Sequence, residues 1–503
     1  MSQVKSSCLK LIRFLRDGKL LNGNKLSEDQ LKLMESPKQC CLVLAGPGSG
    51  KTTTIIFKVY YLMSIGVDPS HINVLSFTKK AVREIIERMK NLEEQFKMGK
   101  LGYNVSTYHS FLLKRLGVSN ENILEPYSQK AIVKFVMKNY SIIRKCFTRK
   151  KALRKISSLK FDRCLGKELS DIDSKLIKVY LKEQGRYNKL DYTDILTRTY
   201  LKLVEKNDQE FLRGEYLILD EAQDLDILIL NIFTLGDPAH VFAVGDDMQR
   251  IFSFEGNMGD FLEMFSKKCK DESSVFTLFK NRRSIPPIVN LCSILRSGEE
   301  SFKNDDQLLD SEKYCIDLIT TLNTDRRNSI LLHLITMHIN EKKSFVILAR
   351  TNKEVLQLDK ELKKKKFQDY YFHSRTSSHA SKIYITITTL HKSKGGEWDS
   401  VAIVNLSEGV IPMLRSGSTI EEEKKLLFVG VSRAKFKIYL MFELNSDYIV
   451  SGMSKKRKTS RFINQILPSY IKKKEYEDFF PPKKISFELT NVNSLLIQKC
   501  NNI

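Results

Sequence analysis

The sequence predicts an α/β protein whose parallel sheets are covered on both faces by helices and divided between two domains. Three observations carry this. Short apolar runs recur, each followed by helical patterning: CCLVLA (40–45), INVLSF (72–77), EYLILD (215–220), HVFAVG (240–245), SFVILA (344–349) and SVAIVNL (400–406). Continuous apolar strands alternating with helices belong to parallel sheets buried on both faces. A chain of 503 residues is too long for one core, and its 42% hydrophobic and 28% charged content suits globular domains.

The charge balance narrows the partners. Lys and Arg number 83 against 59 Asp and Glu, a net charge of +24. Such a surplus favours a polyanion, nucleic acid ahead of an anionic membrane, with a lysine-rich compositional bias as the alternative source. Nine cysteines show no C-x-x-C pair and no Cys/His spacing for zinc or an iron–sulfur cluster. Cys40 and Cys41 read as small core residues, which suits a reducing compartment. No apolar run approaches the ~18 residues needed to span a bilayer. Lys5, Lys10, Arg13 and Arg16 interrupt the N-terminal apolar residues, so no signal-peptide core is read there. The expectation is a soluble intracellular protein without a membrane partner.

The first strand runs into LAGPGSGKTTT (44–54) and then a helical pattern, the context a phosphate-binding loop requires. Gly46, Gly48 and Gly50 let backbone N–H groups converge on phosphate oxygens, and the next helix adds its positive N-terminal end. Ala45, Pro47, Ser49 and Thr53 complete the nucleotide-binding segment, with Ala45 standing where such loops usually begin with glycine. Lys51 is expected to reach the β- and γ-phosphates of ATP, and Thr52 to ligate Mg²⁺.

The strand LILDEAQDLD (217–226) ends in Asp220, Glu221, Asp224 and Asp226, which repel one another unless a positive charge sits among them. If this strand neighbours the phosphate loop, Asp220 holds Mg²⁺ and Glu221 orients and deprotonates the attacking water. Mg²⁺ is then the missing charge. The alternative is a strand ending in a solvated acidic turn. From about 112 to 195 the pattern is helical and basic, with thirteen Lys or Arg and one acid, Asp162, over 130–167. SRTSSHASK (374–382) reads as a connector. KKRK (455–458) reads either as a nuclear import signal or as a DNA-contacting tail, and IKKK (471–474) follows it.

Taken in order, the remaining motifs resemble superfamily-one helicases of the UvrD/Rep/PcrA type over most of the chain. LSEDQ (26–30) is similar to the adenine-reading motif, which makes Gln30 the base contact, although Ser27 and Gln30 equally spell a capping box. SFTKKAVREIIERM (76–89) places Thr78 at a DNA-phosphate position. STYHSF (106–111) places Thr107 and His109 along the DNA path, with a structural histidine as the other reading. DYTDIL (191–196) matches the segment after the first insertion. In VFAVGDDMQRIFSFEG (241–256), Gln249 falls at the γ-phosphate sensor, and Phe252 and Phe254 at positions that stack on bases. Two core phenylalanines are the alternative there.

LFKNRRSIPPIV (278–289) aligns Arg283 with an arginine finger and puts Arg282 where relatives have an adenine-stacking Tyr. ILARTN (347–352) matches around Arg350. TTLHKSKGGEWDSV (388–401) places Thr389, His391 and Lys394 at DNA-side or coupling positions and Glu397 near the nucleotide. EEEKKLLFVGVSRAK (421–435) ends the set with Arg433, a second finger.

The resemblance implies two RecA-like P-loop motor domains with parallel sheets and a basic helical insertion in the first. The expected boundaries are 1–111 with 196–281 for the first motor domain and 112–195 for the insertion. The second motor domain is expected over 282–452 and a basic extension over 453–503. ATP and Mg²⁺ are the implied cofactors. Single-stranded and duplex DNA are the implied partners of a monomeric 3′→5′ helicase, joined by a replication or repair protein. Only 39 positions separate Arg350 from Thr389, too few for the family's large second insertion, which a connector near 363–382 is expected to replace. Nothing after Arg433 resembles a nuclease. A translocase that acts on RNA or strips proteins, and a nucleotide-gated DNA-binding module, remain the other readings.

Overall fold

The computed structural model describes residues 2–16, 26–99, 101–205, 211–225, 227–251, 265, 275–278, 280–298, 315–364, 372–373, 385–414, 418–444, 458–465 and 471–480. They form two compact units. The first comprises 1–302 together with two short segments, 394–396 and 421–435, that interrupt the second unit in sequence.

The first unit is built on β1 (Cys40–Ala45), β2 (Ile72–Ser76), β3 (Asn104–Thr107), β4 (Tyr216–Leu219), β5 (His240–Gly245) and β6 (Val275–Leu278). Their order in the sheet is β3-β2-β4-β5-β1-β6, and neighbours run parallel. Side chains of a strand alternate between faces, so a strand buried on both must be apolar throughout. Cys41, Val43 and Ala45 of β1 enter one core cluster while Leu42 enters the other. In β5, Phe242 and Val244 join the first cluster while Val241 and Ala243 join the second.

The first face is covered by helices Lys51–Ser64 and Lys79–Gln95, through Ile55, Val59, Ile85 and Met89. The second is covered by Tyr108–Arg115, Tyr192–Glu205 and Ile227–Leu235, through Phe111, Ile195 and Phe233. Because every strand runs the same way, all the loops that follow the strands open on one edge, where ligands of such sheets are held.

The basic segment forms helices Pro126–Asn139, Ser141–Cys146, Arg149–Cys164 and Asp171–Gly185 around Ile132, Val136, Ile143, Ile156, Leu159, Leu176 and Tyr180. Arg149, Lys150, Lys151 and Arg154 are exposed. Lys160 is the buried exception; its ammonium lies 2.6 Å from Asp191 and 2.7 Å from Asp194 and donates to Gln184. Those two acids stand at the start of the helix over 192–205, so this cluster ties the insertion's helices to the segment that re-enters the sheet domain.

The second unit carries β7 (Ile316–Thr321), β8 (Phe345–Ala349), β9 (Phe372–His373), β10 (Ile385–Thr389), β11 (Trp398–Ile403), β12 (Ala434–Glu443) and β13 (Ile471–Lys474), in the order β13-β7-β12-β11-β8-β10-β9. Phe345, Ile347, Ile387, Ala402 and Met441 fill its core against helices Thr324–Asn340 and Asn352–Lys364. The lysine run 471–474 is an edge strand, and Lys474 and Lys437 bracket the fully buried Asp317 at 2.8 and 2.9 Å. All six apolar runs of the sequence are strands. Among the described residues, no helix is long and apolar enough to cross a membrane. Apart from β9, the connector expected near 363–382 lies almost wholly outside the described residues.

Candidate nucleotide site and nucleic-acid contacts

Gly50 N-caps the helix Lys51–Ser64 in the left-handed region (φ 88°), and no side chain caps that end. Gly48 is also left-handed, and a Cβ there would lie 2.3 Å from Asn281 Oδ1, so both conformation and space require glycine. Ser49 donates to the Gly46 carbonyl (2.8 Å) and tightens the turn; Ala45 and Pro47 are buried beneath it. Lys51 Nζ folds back on the carbonyls of Ala45 (3.1 Å) and Gly46 (3.3 Å). Burial lowers its pKa, against the pull of Asp246 and Glu221. Thr52 and Thr53 lie half-buried on the first turn.

Gln30 is buried and closes the capping box of the helix Glu28–Glu35: its backbone N–H donates to Ser27 Oγ, and its Oε1 accepts from Ser27 N. Its Nε2 donates to Thr54 Oγ1 (3.1 Å), which itself donates to the Gly50 carbonyl, so Gln30 also braces the phosphate loop.

β4 is not the strand beside β1 that the sequence suggested, since β5 lies between them, but because all the strands run parallel it delivers the acids to the same edge. Asp220 N donates to Leu75 O, Ser76 Oγ donates to Asp220 Oδ2 (3.1 Å), and the Tyr108 hydroxyl donates to the Asp220 carbonyl. Burial, then the neighbouring Glu221 charge, push the Asp220 carboxyl up to about 7. Glu221 sits in the left-handed region (φ 51°), a conformation a glutamate rarely adopts away from functional sites. Burial would raise its pKa, but Lys394, Lys51, the Gln223 amide and Arg433 together hold it at about 2. Asp224 is pushed up to about 6 by burial, against the pull of Lys394.

A lysine also supplies the positive charge that the sequence assigned to Mg²⁺ alone. Lys394 Nζ lies 2.5 Å from Asp224 Oδ2 and 3.5 Å from Glu221 Oε2, and it donates to the Gln249 carbonyl (2.8 Å).

The arginines converge from the other side. Arg433, 2% exposed, donates through Nη2 to Gln249 Oε1 (3.0 Å) and through Nε to Val429 O; burial first, then Arg283, lowers its pKa to about 10. Gln249 Nε2 donates to Asp246 Oδ2 (2.8 Å). Arg283 Nη1 donates to Ser432 O (3.3 Å), while Asn281 Oδ1 accepts from the backbone N–H of Arg283 and Ser284. Arg282 N donates to the Gly48 carbonyl, which sets this turn against the phosphate loop. Lys51, Asp220, Glu221, Gln249, Arg283 and Arg433 all belong to one compact unit.

These residues fit ATP and Mg²⁺. The uncapped, glycine-led helix end offers N–H donors to an anion. An Asp220 carboxyl raised by burial and a neighbouring acid is a site that a cation relieves, and carboxylate with hydroxyl is a hard-oxygen pair that suits magnesium. No cluster of three or more His, Cys, Asp or Glu among the described residues forms a metal cage, so phosphate and water oxygens must complete the coordination.

The sequence-predicted DNA residues are divided between the two units. Thr78 follows β2 and Thr107 ends β3; both are N-caps, accepting from Ala81 N (3.1 Å) and Ser110 N (3.4 Å). His109 packs edge-on against Tyr192 (5.1 Å), and burial lowers its pKa to about 4, which leaves it neutral. In the second unit, Arg350 follows β8; the buried Thr389 ends β10 and accepts from Lys392 N (3.3 Å); His391 opens the next turn; and exposed Glu397 precedes β11. Phe252 and Phe254 lie outside the described residues. Sequence reasoning passed over Ser76, Tyr108, Asp246, Asn281 and Arg296. Of these, Asn281 carried a signal, since an asparagine two residues before Arg283 is a turn former.

Comparison with known proteins gives two matches along the chain. Residues 26–270 match the UvrD/REP helicase N-terminal domain and residues 371–445 the UvrD-like helicase C-terminal domain. The ATP-dependent DNA helicase PcrA of Staphylococcus aureus (strain COL) is 27% identical over 302 residues, covering 55% of this chain and 40% of the relative. YjcD of Bacillus subtilis (strain 168) is 28% identical over 299 residues, covering 56% and 39%. The C-terminal domain of a possible DNA helicase from a Lactobacillus strain (WCFS1) is 15% identical, with a TM-score of 0.28, over 39% of this chain and 99% of that one. The chain thus matches about two-fifths of the length of these curated relatives.

Proposed function

Because this chain belongs to the UvrD/PcrA-like helicase family, we propose that it is an ATP-driven motor on single-stranded DNA that moves 3′→5′ and unwinds duplexes. One observation carries the reading: a phosphate loop, a paired acid and two arginines meet in one compact unit.

Lys51 and the N–H groups of the helix end hold the β- and γ-phosphates, with Thr52 and Asp220 as the magnesium ligands. Magnesium supplies charge neutralisation on the phosphate oxygens. Glu221, kept ionised by four positive or donor neighbours, orients water and takes its proton. Gln249 contacts the γ-phosphate. Arg283 and Arg433 stabilise the charge that develops on it. Gln30 reads adenine from its place beside the loop. Thr78, Thr107, His109, Arg350, Thr389 and His391 are the proposed DNA contacts, and Glu397 a nucleotide-side group. A sequence-blind grip on DNA suits the net charge of +24.

Phosphate release with and without oligo-dT tests hydrolysis, and strand displacement from 3′- and 5′-tailed duplexes tests polarity. The expected result is DNA-stimulated turnover with displacement only from 3′ tails. Nucleotide binding without turnover refutes the motor, and displacement of RNA rather than DNA moves the substrate to RNA.

A further inference from the structure

We propose that Arg296 is a positioning residue of the hydrolytic site, pinning Asp246 so that the Gln249 amide presents its N–H to the γ-phosphate. Arg296 is on the helix Pro286–Ser297, and its Nη2 donates to Asp246 Oδ1 at 2.8 Å. Asp246 is buried at the end of β5 (side chain 1% exposed); its Oδ1 also accepts from Met248 N (3.2 Å), while Oδ2 accepts Gln249 Nε2 (2.8 Å). The Arg296 guanidinium also lies 5.3 Å from the centre of the Phe428 ring, which supports its plane from a second element.

The chemistry of the neighbours sets the amide's orientation. A guanidinium only donates and a carboxylate only accepts. Arg433 must therefore face Gln249 Oε1 and Asp246 must face Nε2, as the 3.0 and 2.8 Å contacts show. The turned amide would put oxygen against carboxylate and nitrogen against guanidinium. Nε2 keeps a second hydrogen, which is the donor the γ-phosphate needs. Arg296 neutralises the buried Asp246 from the side away from the amide. Without it, Asp246 carries an uncompensated charge next to Lys51 and Arg433, on both of which it already acts. The carboxylate then loses its guanidinium anchor on Oδ1 and Gln249 loses its fixed partner.

This inference rests on the proposed γ-phosphate role of Gln249, so its test reads γ-phosphate recognition separately from turnover. The affinities of the full chain for ADP and for the non-hydrolysable triphosphate AMP-PNP, both with Mg²⁺, are compared with DNA-stimulated kcat. Arg296→Gln is expected to leave ADP affinity unchanged, which also reports an intact fold, and to weaken AMP-PNP about tenfold, the worth of a charge-assisted hydrogen bond. Turnover should fall about tenfold, and Arg296→Lys should restore part of both. In a Gln249→Ala background the same change should add less than about twofold, because a residue acting through Gln249 has nothing left to position. Equal losses for ADP and AMP-PNP, independent effects in the double variant, or no effect on the ADP to AMP-PNP ratio each overturn the proposal. If the natural chain shows no turnover yet Arg296→Gln still erases triphosphate preference, the positioning role stands and the motor reading falls.

Discussion

Replacing Lys394 by Met leaves the acid cluster of β4 without the cation nearest to it. At an effective dielectric of about 20, the 2.5 Å contact to Asp224 corresponds to roughly 7 kcal/mol of attraction and the 3.5 Å contact to Glu221 to roughly 5. Desolvation offsets most of this. Lys394 and Asp224 side chains are 10% and 2% exposed, and breaking a pair buried to that degree costs about 3–5 kcal/mol.

Asp224 can limit the loss by taking a proton. Its folded pKa is already raised to about 6 with the lysine present, so removing Lys394 raises it further. An acid whose folded pKa lies above its unfolded value loses stability as pH rises through the interval between them. The variant should therefore be hurt more at pH 8 than at pH 6. Calorimetric unfolding of the full chain should show the first unit melting about 5–15 °C lower at pH 8, with a smaller deficit at pH 6. Adding Asp224→Asn should recover most of the difference, since the buried charge is then gone. An unchanged melting temperature at both pH values, or a double variant no more stable than Lys394→Met, would falsify the account of Lys394 as the cluster's counter-charge.

Glu221→Gln is expected to preserve ATP binding and lower turnover by roughly 10²–10⁴-fold, the usual worth of a general base; wild-type turnover in that variant removes Glu221 from the chemistry. Reversing Arg149, Lys150, Lys151, Arg154 and Lys155 should weaken DNA affinity and flatten its salt dependence, because fewer counterions are released; an unchanged slope in a salt titration makes these cations an ordinary solvated face. Buried His240 is held at about 3, by burial and then by Lys58. Its unfolded form binds more protons between pH 3 and about 6.5, so stability is complete above that window and falls on acidification by at most about 1.4 kcal/mol per pH unit. His240→Gln should flatten that acid limb in urea unfolding at pH 5 against pH 7, and an identical limb would count against it.

The phosphate loop was legible because its parts are consecutive: strand, three glycines, lysine and helix occupy 40–64 without interruption. The acid strand was legible for the same reason, its apolar run ending in Asp220 and Glu221. Strands with mixed surfaces were harder. β10 reads ITITT and β12 begins AKFK with an exposed Phe436, and those threonines and lysines hid strands whose other positions, such as Ile385, Ile387 and 438–443, are buried. Thr78 and Thr107 were read as DNA-side residues, and their capping bonds to Ala81 and Ser110 add a second, local reason for threonine at each position.

The sequence alone determined what local order can encode: two sets of apolar strands, a loop that only glycine can turn, acids at a strand end, and a basic helical segment. Hydrophobic periodicity and backbone conformation depend on near neighbours in the chain, so they survive as a one-dimensional pattern. The pairing of charges depends on distance in space, and only the tertiary structure decided it. Lys394 reaches Asp224 across 170 positions, Arg433 reaches Gln249 across 184, and Arg296 reaches Asp246 across 50. No spacing rule relates such residues. They meet because the fold packs helix and turn residues against side chains that follow β4 and β5, and burial there makes an unpaired charge too costly to keep.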